Sequence, residues 1–221
     1  MFDKPVQWTS FDLVNKVRIM IRNTFGIKKI KVGHAGTLDP LATGLMILCT
    51  GRATKRIEEF RDLDKEYLAT LMLGATTPSY DLETDIDNIY PAAHITENSI
   101  TNILAGFVGK REQVPPMHSA KFIDGRRAYE YARKGEMKEL KPVNVIFRKV
   151  ELVECRLPEV KIRIVCSKGT FIRAFARDLG EALGSGAYLS DLRRLSIGSY
   201  RIEQAYDLKN FELFLRQMKQ I

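Results

Sequence analysis

The sequence predicts an α+β fold built on a mixed or antiparallel sheet. Three observations lead there. Helical and strand-like stretches follow one another without a regular β-α-β repeat. At 45% hydrophobic, the 221 residues carry enough apolar side chain for a real core. No linker-like, low-complexity or repeated segment divides the chain, so residues 1–221 are expected to form a single domain.

The elements follow in order. Thr9 or Ser10 can cap a helix whose apolar face is Leu13, Val17, Met20 and Ile21, ending near Gly26. KKIKVG reads as a short basic strand leading into a glycine-rich loop. RATKRIEEFRDL is helical, with Ala53, Ile57 and Phe60 on one side. KEYLATLMLG is apolar on both faces, which suits a central strand. Residues 76–95 read as a polar connection, and Thr96 starts a helix with Ile100, Ile103, Leu104 and Phe107 at helical spacing. PPMHSAKFIDGRRAYEYARKGE predicts a hairpin turning at Asp124-Gly125, then a short helix. VNVIFRKVELVEC and EVKIRIVC are strands. Thr170 can cap the next helix, which carries Phe175, Leu179 and Leu183 and closes at Gly184. LRRLSIGSYRI is a further strand and NFELFLRQMKQI a final helix.

Charge is unevenly placed. The net charge is +8, yet residues 1–57 hold ten Lys/Arg against three Asp, and residues 67–109 hold five acids and no Lys or Arg. Such segregation fits a basic face for a polyanion, most plainly nucleic acid, better than a uniform solubilising surface. Cys49, Cys155 and Cys166 lack paired spacing, and His34, His94 and His118 lack metal-ligand spacing, so neither a disulfide framework nor a metal site is expected. No apolar run approaches the length of a membrane span and MFDKPVQWTS has no signal-peptide layout; a soluble, cytoplasmic protein is expected.

Three stretches could carry chemistry. In GHAGTLDPLATG, Asp39 is the lone carboxylate in a Gly/Pro-rich loop. It reads either as a pre-positioned nucleophile, general base or metal ligand, or as the cap of a turn before Pro40. In KGTFIR, Arg173 lies in the first turn of a helix, where a cation opposes the dipole unless a carboxylate pairs with it; an exposed arginine is the alternative. Tyr67 sits in an apolar strand, either as core with a satisfied hydroxyl or as an aromatic platform beneath a base.

KVGHAGTLDPLATGLMILCTGRATK resembles the signature loop of the TruB family of tRNA pseudouridine synthases. The motifs DKPVQWTSFDLVNKVR, KEYLATLMLGATTPSYDLE, QVPPMHSAKFIDGRRAYEYARKGE, CSKGTFIRAFARDLGEALG and AYLSDLRRLSIGSY resemble further family motifs in the family's order, so the likeness covers nearly the whole chain. It implies a pseudouridine-synthase fold with helices flanking a central catalytic cleft, and no cofactor or metal. It implies that Asp39 is the catalytic aspartate, Tyr67 the active-site tyrosine and Arg173 the arginine paired with the aspartate. Leu192 would line the base pocket, His34 and Gly36 would meet the flipped-out nucleotide, and Lys4, the lysine of the opening motif, would also bind substrate. The implied substrate is the uridine at position 55 in the T-arm stem-loop of tRNA, with no obligatory protein partner. A non-catalytic RNA-folding protein on the same scaffold is the competing reading.

The chain departs from the family's pattern in places. Only Met1, Phe2 and Asp3 precede Lys4, so the opening strand is expected to be shortened or missing. Gln7 stands where glycine is common, and Phe171 and His118 where tyrosines are common. Residues 197–221 are expected to be only a short C-terminal extension and not an RNA-binding domain of the PUA type, which needs ~50 or more residues.

Overall fold

The computed structural model describes residues 1–136 and 138–219. Along the chain run β1 (Phe2–Lys4), α1 (Ser10–Phe25), β2 (Val32–His34), β3 (Thr43–Met46), β4 (Leu48–Thr50), a 3-10 turn (Gly51–Arg56), α2 (Ile57–Arg61) and β5 (Lys65–Leu73). There follow β6 (Ala75–Thr76), β7 (Asn88–Ile89), α3 (Glu97–Phe107), β8 (Gly109–Gln113), β9 (Phe122–Ile123), β10 (Arg126–Arg127) and α4 (Ala128–Ala132). The rest comprises β11 (Val143–Arg156), β12 (Glu159–Cys166), α5 (Ile172–Ala182), β13 (Ala187–Ile197), β14 (Tyr200–Arg201) and α6 (Leu208–Met218). The last two residues of the final helix expected from the sequence lie outside the described residues.

The chain divides into two compact units, Met1–Tyr67 with Leu192–Ile221, and Leu68–Asp191. Strands β5 and β13 each contribute to both. In the first unit β1 pairs antiparallel with β3, Phe2 opposite Met46 and Lys4 opposite Gly44. The opening strand is therefore short but present. β3 in turn lies parallel to β13, with Arg193 opposite Thr43 and Arg194 opposite Gly44. The sheet is mixed, as the lack of a β-α-β repeat implied. Its core gathers Ala35, Leu45, Ile47, Cys49 and Ile197, with Ile57, Phe60 and Leu63 against them. Phe2 and Phe211 meet edge to face at 4.8 Å, which ties α6 to the edge strand.

α1 begins and ends where its residues dictate. Thr9 accepts from the N–H of Asp12 while the Asp12 carboxylate accepts from the N–H of Thr9, a reciprocal capping box. Gly26, with φ +65°, closes the helix by donating to the carbonyl of Arg22. Leu13, Val14, Val17 and Ile21 form the buried stripe.

In the second unit β11 pairs with β12 and β8, both antiparallel. Phe107 of α3, Phe147 of β11 and Phe175 of α5 pack with centroids 4.9 to 6.2 Å apart, all essentially buried. α5 starts at Ile172 with Phe171 as its N-cap. Thr170 does not cap it; its hydroxyl donates back to the carbonyl of Ser167 at 2.9 Å. The basic strand expected from Lys28 is also shorter, because only Val32–His34 pairs with β4.

One glycine fixes how closely β3 and β13 approach. Gly44 has φ +108°, and a Cβ there would sit 2.3 Å from the carbonyl oxygen of Arg194. Gly44→Ala combines backbone strain with a collision against a strand that cannot retreat. It should cost roughly 3 kcal/mol or more in urea unfolding; a loss below about 1 kcal/mol would show that the strands separate freely.

Candidate active site

The loop from Ala35 to Ala42 joins β2 to β3, and Asp39 sits in it half-buried. Three polar side chains, those of Ser10, Lys4 and Arg194, bind the loop's backbone. Ser10, at the start of α1 and 4% exposed, accepts from the N–H of Leu38 at 2.8 Å and donates to the Leu38 carbonyl at 3.0 Å. One hydroxyl therefore satisfies both backbone groups of the residue before Asp39. The N–H of Ala42 donates to the Asp39 carbonyl at 3.1 Å and closes the turn. On the other side, the N–H of Gln7 donates to the Pro40 carbonyl at 2.8 Å.

Lys4 is wholly buried at the end of β1, and its ammonium donates to the carbonyls of Pro5, Trp8 and Pro40 at 2.9, 2.6 and 3.3 Å. Burial pushes its pKa down to about 8, while the charge of Asp39 pulls it up and that of Arg194 depresses it further. Because the folded value lies below the unfolded one, the folded chain holds fewer protons between about pH 8 and the ordinary lysine range. Lys4 therefore weakens the fold most below pH 8, and its contribution rises with pH across that window. Urea unfolding of the parent chain and Lys4→Met should show the parent gaining stability relative to the variant as pH rises from 8 to ~10. A constant difference would mean that Lys4 does not titrate there.

Arg194, on β13, is 1% exposed and directs its guanidinium at the same loop and at β3 beyond it. Nε donates to the carbonyl of Leu45 at 2.7 Å, and the two terminal nitrogens donate to those of Thr37 and Gly36 at 3.3 and 3.2 Å. The three carbonyls are met by three separate nitrogens of a planar fork, a spread that the single nitrogen of a lysine would not span here. The neighbouring Arg193 points to the other face and pairs with Asp3 at 2.7 Å. The strand's alternation thus turns the RR pair into one surface cation and one buried one.

His34, at the end of β2, accepts at Nδ1 from the N–H of Gly36 at 3.4 Å, so its neutral form carries the proton on Nε2. Its pKa is lowered by burial, with the Arg194 charge adding to the effect. Leu192 is buried two residues before Arg194, and its carbonyl accepts from the Thr43 hydroxyl at 3.5 Å. Tyr67 is 8% exposed on the face of β5 that also carries Lys65 and Ala69. Lys4, His34, Gly36, Asp39, Tyr67 and Leu192 all belong to the first unit.

Arg173 belongs to the second unit. It lies in the first turn of α5, 4% exposed, with Nε 3.5 Å from a carboxylate oxygen of Asp81. Its terminal nitrogens donate to the carbonyls of Ser79 and His118 at 3.2 and 2.8 Å. The segment holding Asp81 is itself tied down. The Thr77 and Ser79 hydroxyls donate to the Asp81 carbonyl, and Tyr80, between Ser79 and Asp81, adopts φ +61°. A carboxylate therefore does offset the arginine's opposition to the helix dipole.

Sequence reasoning missed Ser10, Arg194 and Asp81. Arg194 had a signal, since one of two adjacent arginines in an apolar strand must face inward. Asp81 lies in a connection read only as polar, although the motif KEYLATLMLGATTPSYDLE includes it. Among the described residues no cluster of His, Cys, Asp and Glu could hold a metal ion, and no helix is long and apolar enough to cross a membrane.

A family model described as the TruB family pseudouridylate synthase N-terminal domain matches residues 22–172. A second, described as the tRNA pseudouridylate synthase B C-terminal domain, matches residues 173–220. The chain belongs to the TruB family of pseudouridylate synthases, which are isomerases. It is 59% identical to the tRNA pseudouridine synthase B of Phocaeicola vulgatus, over 99% of this chain and 93% of that protein. The protein of the same name from Flavobacterium johnsoniae is 48% identical, over 96% of this chain and 93% of its own length. Among solved structures, a chain of a Cbf5-Nop10-Gar1 complex has a similar fold. The TM-score is 0.75 at 24% identity, covering 100% of this chain and 55% of that one.

Proposed function

We propose that this chain acts in the cytoplasm on the T-arm of tRNA, isomerising the uridine at position 55 to pseudouridine with Asp39 as the catalytic carboxylate. The observation that carries this reading is the Asp39 loop. Its backbone is fixed by Ser10, Lys4 and Arg194 in a chain of the TruB family. A loop so bound holds one charged oxygen in place, and preorganisation of that kind is what a catalytic group needs.

The reaction breaks the N1–C1′ bond of uridine, turns the uracil and joins it through C5. Every atom of the nucleotide is retained, so no redox partner enters the balance. The base must first leave its stack, because its sugar is otherwise out of reach. The ionised Asp39 then adds to C1′ or to the ring, or takes the 2′ proton; each route requires a carboxylate beside the ribose. The family resemblance names Arg173 as the arginine paired with this aspartate, and that role is part of the proposal. Tyr67 stacks on the uracil and serves the C5 proton, Leu192 lines the base pocket, and His34 and Gly36 meet the extruded nucleotide.

Recognition rests on the basic segment from residue 1 to 57. Lys28, Lys29 and Lys31 are exposed just before β2 and its loop. Kinetics on an isolated T-arm stem-loop and on full tRNA should give similar kcat/KM, with log K falling as log salt rises. Reversing Lys28, Lys29 and Lys31 to Glu should weaken binding to every RNA and leave base choice intact. The salt slope should flatten by about one unit for each phosphate no longer neutralised. A stem-loop that fails while full tRNA works would overturn recognition through the T-arm alone.

A further inference from the structure

Gln7 occupies a turn that glycine would enter without strain. Its φ is +65°, a left-handed conformation that strains a residue carrying a Cβ. The turn is held in place despite that strain. Lys4 binds the carbonyls of Pro5 and Trp8 on either side, and the Gln7 N–H binds the carbonyl of Pro40, the residue after Asp39. The backbone task at position 7 therefore needs no side chain. Yet Gln7 is exposed, and among the described residues its carboxamide makes no hydrogen bond. The strained residue thus leaves its carboxamide open to a partner outside the fold.

We propose that Gln7 is a specificity-determining residue that hydrogen-bonds a nucleotide flanking the target uridine. The inference rests on the functional reading above and extends it. A carboxamide offers two donors and an acceptor, the pattern that reads the edge of an unstacked base or a 2′-hydroxyl. Its position is set by the same carbonyl that Lys4 uses to anchor the loop, so the carboxamide stays in register with Asp39.

The test uses the full chain and two variants. Gln7→Met keeps length and strain but removes the carboxamide; Gln7→Gly removes both carboxamide and strain. The probes are T-arm stem-loops in which each nucleotide flanking the target is changed in turn, with Kd, kcat and Tm measured separately. Gln7→Met should keep the parent Tm and kcat, bind about 2- to 10-fold more weakly, and lose the parent's preference at one flanking nucleotide. Gln7→Gly should show the same weakening at a Tm equal to or above the parent's. Parent affinity and parent base preferences in both variants would overturn the proposal, as would a Gln7→Gly chain less stable than the parent. A parent chain that binds these RNAs but forms no pseudouridine would refute the functional reading instead, and Kd would still test Gln7.

Discussion

Asp39→Asn should lower the rate of uridine isomerisation at least roughly a thousandfold while leaving the chain folded and able to bind RNA. The substitution is nearly isosteric. The turn's own bond runs from the Ala42 N–H to the backbone carbonyl of residue 39, and the bonds at Leu38 and Pro40 are also made by backbone groups there. None of these uses the carboxylate. The chain should keep its fold, although Lys4 loses a charge that favours its ammonium, and the affinity for a T-arm stem-loop should change by a few-fold at most. Residual turnover near the parent rate would remove Asp39 from the chemistry. A chain that unfolds would instead make Asp39 a turn cap, the alternative its place before Pro40 leaves open.

Arg173→Lys should be nearly as damaging as Arg173→Ala. In α5 the guanidinium uses Nε on Asp81 and its two terminal nitrogens on the carbonyls of Ser79 and His118. A lysine reaches one of these partners and leaves buried acceptors and the nearly fully buried Asp81 carboxylate short of donors. Removing one partner of a buried pair costs about 3–5 kcal/mol, so both variants should unfold at clearly lower urea concentration. Where they remain folded, single-turnover rates should fall by at least roughly a hundredfold. The rate should recover toward higher pH in the lysine variant if Arg173 acts chiefly by keeping the catalytic carboxylate ionised. A parent-like rate in Arg173→Lys would show that a single positive charge suffices.

How much of this could be read from the sequence differs between local and distant interactions. Thr9, Asp12 and Gly26 announce α1 because caps act over three or four residues. Thr96 does the same for α3. Thr170 misleads for the same reason, since a threonine before a helix can bond forward to cap it or backward into the preceding turn. The strand LRRLSIGSYRI begins earlier than its apolar residues suggest, at Ala187, and breaks at Gly198 before β14. Ser190 and Asp191 hide its first half by interrupting the apolar pattern. The loop of Asp39 was legible as a motif, but what holds it was not. Arg194 lies more than 150 positions from Gly36, and a composition argument treats arginine as surface. Asp81 and Arg173 are likewise joined only by the fold.

The central claim is most directly tested by mapping pseudouridine, position by position, in tRNA transcripts incubated with the parent chain and with Asp39→Asn. The parent should produce a single new pseudouridine, at the T-arm uridine, and Asp39→Asn should produce none over the same time. Transcripts that are bound by the parent chain yet leave with every uridine unchanged would contradict the account and favour a protein that folds RNA without altering it.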